Sequence, residues 1–128
     1  MTNPIKLAAC LAILAFGQDN AVAQSKSTSD GIYSRSQSNA GEQAYQSACA
    51  SCHDVKFYQD IWDYWEEKNL IDFYWRIVAE MPSDNPGSLS DSEYADIVAY
   101  ILSQLGYPAG DSVLDPFGDM DEISISPQ

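Results

Sequence analysis

The sequence predicts an all-α protein, a small domain built from three to four short helices. Apolar residues recur at helical spacing in several stretches. Helix start and stop residues bracket those stretches. Strand signals are nearly absent apart from a short extended "ISI" at 123–125. The length of 128 residues suits one core and is too short for two comfortable ones.

Along the chain, the first residues have the layout of a secretory signal. Lys6 is the charged flank, "LAACLAILAF" (7–16) the apolar stretch, and "AVA" ending at Ala23 a small-residue cleavage site. The apolar stretch is too short to cross a bilayer. The expectation is a signal peptide over 1–23, a periplasmic location and no stable membrane anchor. "LAAC" ending at Cys10 imitates a lipoprotein box, but its apolar residues mostly follow the cysteine instead of preceding it. Without Cys10, the mature chain keeps Cys49 and Cys52.

Residues 24–38, "QSKSTSDGIYSRSQS" with Gln24 at their head, are rich in serine and poor in apolar side chains, which predicts a flexible leader. The folded domain is expected over 39–128, with 107–128 as an acidic C-terminal tail. Asn39 is placed to cap a first helix running into "CASCH". "FYQDIWDYWEE" (57–67) places Phe57, Ile61 and Trp65 at four-residue steps, as a short helix would. "NLIDFYWRIVAE" has Asn69 as cap, Asp72 in its first turn, and Leu70, Phe73, Ile77 and Val78 on one side. It should stop at Met81, because Pro82 disfavours helical geometry in the residue before it. The last helix, "LSDSEYADIVAYILSQLG", is the best signposted. Ser90 and Glu93 have capping-box spacing, Leu89 and Tyr94 that of a hydrophobic staple, and Gly106 is placed to end it.

Asp and Glu number 19 against 6 Lys and Arg, a net charge of −13. Such a balance argues against nucleic acid as a partner. It serves solubility, or it steers the chain toward a basic docking surface.

The chemistry concentrates in "CASCH", residues 49–53, which holds the sequence's single histidine. Cys-x-x-Cys-His is the spacing for covalent heme c: Cys49 and Cys52 each add to a vinyl group, and His53 is held beneath the iron as axial ligand. Two other readings exist for such a pair. A zinc site needs further Cys or His ligands, which the mature chain lacks. A dithiol redox pair would want a βαβ setting, which the sequence does not predict.

With His53 used, the second axial position falls to a methionine, a lysine, water or nothing. Met120 lies in "GDMDE", where carboxylates favour solvent. Met81 ends an amphipathic helix and enters the turn-rich "PSDNPGS", and it is the expected distal ligand. Its alternative role is core filler. Eight of the fifteen aromatic residues fall between Phe57 and Trp75. Ordinary core packing accounts for most of them, while Tyr58, Trp62, Trp65 or Trp75 are candidates to line a cofactor. Lys68 and Arg76 are candidates to neutralise its carboxylates or are simply solvated.

"CASCH", then "MPSDNPGSLSDSEYADIVAYIL", then "GYPAGDSVL" resemble class I cytochromes c. More narrowly they resemble the monoheme cytochrome modules that accompany pyrroloquinoline-quinone (PQQ)-dependent alcohol dehydrogenases, over residues 41–114. The resemblance implies a class I fold around one heme c, Cys49 and Cys52 as thioether donors, and His53 and Met81 as iron ligands. It implies an electron carrier, not an enzyme, fed by a periplasmic dehydrogenase and drained by a cytochrome or oxidase. A small heme enzyme or sensor with a labile Met81, and a permanent subunit of a dehydrogenase complex, are the competing functions. It further implies that the first helix, through Gly41 and Tyr45, crosses the last at Ile97 and Tyr100. One departure stands out: no proline or glycine occurs between Asp54 and Glu80, where such modules place a loop carbonyl that accepts the histidine Nδ1 proton. A carbonyl within 54–58 is the expected substitute.

Overall fold

The computed structural model describes residues 25–128. The expected signal peptide, with Lys6 and Cys10, and the first leader residue, Gln24, lie outside them. Four α-helices make up the small all-α bundle: α1 Arg35–Ala48, α2 Lys56–Ile61, α3 Leu70–Glu80 and α4 Asp91–Gln104. Single 3-10 turns occupy Thr28–Asp30, Trp62–Tyr64 and Met120–Glu122.

α4 forms as its signals require. Ser90 Oγ accepts from the Glu93 N–H, and the Glu93 carboxylate accepts from the Ser90 N–H at 2.9 Å, closing the capping box. Ile97, Val98, Ile101 and Leu102 are fully buried. Asn69 occupies the cap position of α3, but its side chain makes no capping bond. The Leu70 N–H donates instead to the Ile123 carbonyl at 2.8 Å.

α1 and α4 cross at Gly41. A Cβ there would lie 1.8 Å from the Asp96 carbonyl oxygen and 3.0 Å from the Tyr100 Cβ. The helices approach this closely only because residue 41 has no side chain. Tyr45, one turn along, packs its ring on Tyr100 with centroids 5.3 Å apart. The crossing that the resemblance implied is present.

Residues 25–38 depart from the expected flexible leader. Thr28, Ile32 and Tyr33 are buried, and α1 starts at Arg35, capped by Ser34, not at Asn39. The segment is held at two places. The Thr28 N–H donates to the Ser124 carbonyl at 2.9 Å, and Gly110 donates to the Tyr33 carbonyl at 2.8 Å. Ile32 and Tyr33 supply apolar burial that a serine-dominated composition conceals, and distant backbone supplies the hydrogen bonds.

The C-terminal residues depart from an acidic, solvent-facing tail. Met120 is fully buried, as are Ile123 and Ile125, while the neighbouring Asp121 and Glu122 face water. The 3-10 turn brings Met120 and Ile123 to one side. The "ISI" segment is extended and bonds on both sides, with Lys68 and Leu70 on one and Lys26 and Thr28 on the other. Trp62 donates its indole N–H to the Tyr107 hydroxyl at 2.8 Å, tying the aromatic block to the same layer.

Gly41→Ala should destabilise the fold by about 1–3 kcal/mol in denaturant unfolding despite alanine's higher helix propensity, and Gly41→Leu by more. A stabilised Ala variant would show that the helices do not meet here.

Candidate functional site

The helical pairing of α1 runs out into the "CASCH" turn. The Cys49 and Ala50 N–H groups both donate to the Tyr45 carbonyl, at 2.8 and 3.0 Å. The Cys52 and His53 N–H groups both donate to the Cys49 carbonyl, at 3.1 and 3.0 Å. This tight turn brings two thiols and an imidazole together. Cys49 is buried, Cys52 is exposed, and neither forms a disulfide. Burial pushes the Cys49 thiol up from its ordinary range.

Two contacts define the placement of His53. Its carbonyl accepts from the Tyr45 hydroxyl at 3.1 Å. Its ring lies against Phe57, with centroids 4.9 Å apart and planes tilted by 32°. No carbonyl within 54–58 accepts from the imidazole among the described residues, so the expected substitute acceptor is not formed. Asp54 lies in the turn before α2, its side chain accepting from the Lys56 N–H at 2.9 Å.

Met81 caps α3. Its N–H donates to the Ile77 carbonyl at 2.8 Å, and its carbonyl accepts from the Tyr94 hydroxyl of α4 at 2.6 Å. Beyond it, the Asn85 N–H closes a turn on the Pro82 carbonyl at 2.9 Å. The fold thus brings the end of α3 to the turn that follows α1. Cys49, Cys52, His53 and Met81 line one cavity of about 430 Å³, together with Tyr58 and the loop Pro82–Asn85.

A second, largely apolar cavity of about 410 Å³ adjoins it and shares Tyr58 and Met81 as lining residues. Phe57, Ile61, Trp65, Phe73 and Ile77 supply most of its apolar wall. Of the aromatic candidates, Tyr58 and Trp65 line this space, Trp62 is engaged with Tyr107, and Trp75 is half exposed. Burial raises the Tyr58 phenol well above its ordinary pKa. Arg76 borders the apolar cavity and pairs with Glu80 at 3.0 Å. Lys68 sits over the Tyr64 ring, 3.6 Å from its centroid. Sequence reasoning missed the tyrosine bonds to His53 and Met81, because nothing local marks which carbonyl a phenol will reach.

Among the described residues, no group of three or more His, Cys, Asp or Glu is arranged to hold a metal ion. Among the described residues, the thiols lie between helices, with no strand beside them.

The family model described as cytochrome c oxidase, cbb3-type, subunit III matches residues 36–101, just over half of the chain. The chain belongs to this family. The matched span runs from the first turn of α1 into α4 and so contains "CASCH" and Met81. Membership makes the chain a cytochrome-family module in general and does not single out the modules of quinoprotein dehydrogenases. Searches of curated proteins and of solved structures return no match. Among the described residues, no helix is long and apolar enough to cross a membrane.

Proposed function

We propose that the chain is a monoheme c-type cytochrome of class I fold that carries single electrons in the periplasm. Cys49 and Cys52 would hold one heme c through thioether bonds, and His53 and Met81 would ligate its iron. The observation that carries this reading is the shared cavity: four residues from two separate segments, each of a type the chemistry requires, border one space. The residues fit the group. Thiols, imidazole and thioether line one cavity, and the adjoining one offers the aromatic and aliphatic surface a porphyrin face needs. Bound there, the heme supplies a one-electron iron couple.

The chain's own residues decide which chemistry follows. As iron ligands, His53 and Met81 would favour the reduced state relative to two histidines, which suits electron transfer over catalysis. The apolar walls lower the dielectric around the site. The donor we propose is a periplasmic dehydrogenase. The "MPSDNPGSLSDSEYADIVAYIL" and "GYPAGDSVL" segments favour a PQQ quinoprotein. The acceptor is a cytochrome or an oxidase, in keeping with the family's description as an oxidase subunit. That description also favours a second reading, in which the chain is a fixed subunit of such a complex.

Met81→Ala should abolish the sulfur-to-iron absorption band and lower the reduction potential; an unchanged spectrum would contradict the ligand assignment. Reduced wild-type protein should bind carbon monoxide slowly or not at all at neutral pH, whereas rapid, complete binding would indicate a labile Met81 and an enzyme or sensor. With its net charge of −13, a diffusing carrier should lose association with its partner as salt rises. Copurification that survives high salt would indicate the fixed subunit.

A further inference from the structure

We infer that Tyr45 and Tyr94 are positioning residues that hold the two axial-ligand residues by their backbone carbonyls, so that the α1–α4 crossing sets where His53 and Met81 sit. The inference rests on the ligand reading given above. Tyr45 lies on α1 and Tyr94 on α4, and both are buried, with 2% and 1% of their surface exposed. A buried phenol must place its hydroxyl on an acceptor. Of the carbonyls in the domain, these two reach His53 at 3.1 Å and Met81 at 2.6 Å.

Both acceptors are groups that the helices themselves leave unpaired. Met81 follows the last residue of α3, and His53 lies beyond the end of α1, so neither carbonyl has a partner within a helix. Each residue's N–H is already held, by Ile77 for Met81 and by Cys49 for His53. With both backbone groups bonded, the backbone of either ligand residue is held from two sides. The tyrosines are in turn fixed by the crossing. Tyr45 lies one turn from Gly41 and packs on Tyr100, and Tyr94 lies on α4 just before Asp96, whose carbonyl abuts Gly41.

Proton NMR of the oxidised, heme-loaded protein tests this, because a paramagnetic iron displaces the Met81 methyl and His53 ring resonances to distinct positions. Tyr94→Phe should move the Met81 methyl resonance and raise the rate at which added imidazole displaces Met81 by about tenfold, the rate equivalent of one lost hydrogen bond. Tyr45→Phe should move the His53 ring resonances. Tyr33→Phe is the control: its buried hydroxyl also donates to a backbone carbonyl, that of Tyr107 at 2.6 Å. It should lose comparable thermal stability and leave all these resonances in place. Wild-type resonances and displacement rates in Tyr94→Phe and Tyr45→Phe, or equal shifts in Tyr33→Phe, would overturn the inference. A displaced methyl resonance missing from the wild type, or surviving in Met81→Ala, would instead overturn the ligand assignment itself.

Discussion

The contact of Gly41 on the Asp96 carbonyl is the constraint on which the rest of the molecule depends. α1 and α4 approach so closely there that one methyl group would overlap the backbone of the partner helix. The candidate site is tied to these helices: the His53 carbonyl accepts from Tyr45 of α1, and that of Met81, at the end of α3, accepts from Tyr94 of α4. The thiols and imidazole follow the C-terminus of α1, and the loop behind Met81 leads into the N-terminus of α4. A crossing held by backbone contact has little freedom to slide, since packed interiors resist displacement.

The remaining elements close the space around this crossing. α2, the following 3-10 turn and α3 bring an aromatic cluster over the apolar cavity: Phe73 meets Trp62 and Trp65 edge-on at 5.1 Å and Tyr58 at 6.1 Å. Such pairs favour fixed relative orientations and so make a rigid wall. The N- and C-terminal segments pair with each other behind it, through Ser124 with Lys26 and Thr28. Gln37 of α1 adds a two-way clasp, its side-chain amide bonding both the N–H and the carbonyl of Leu114 at 2.8 Å. Among the described residues no buried side-chain polar atom lacks a partner, as expected where unpaired polar groups are costly.

What could be read from the sequence was local. The capping box at Ser90 and Glu93, the end of α3 at Met81 before Pro82, and the proximity of Cys49, Cys52 and His53 all follow from short-range rules, and all are present in the fold. The Gly41 crossing was legible only through resemblance, because a glycine in a helix does not by itself announce a neighbour. What was misread was long-range. Residues 25–38 were judged by average composition, which hides that Ile32 and Tyr33 are buried and that their backbone finds partners near Gly110 and Ser124. Met120 was judged by its acidic neighbours, although a 3-10 turn lets one side chain face inward while the next two face water. For the imidazole the sequence offers a carbonyl within 54–58; the fold places the Phe57 ring against His53 and the Tyr45 hydroxyl on its backbone carbonyl, contacts that no local rule marks.

The central claim is that the α1–α4 crossing holds His53 and Met81 together in one cleft. The most direct test is the sulfur-to-iron absorption band of heme-loaded Gly41→Ala protein, recorded where circular dichroism shows the wild-type helix content. Helices forced apart at residue 41 should weaken or abolish the band while secondary structure is retained. A band of full wild-type intensity in that folded variant would contradict the account.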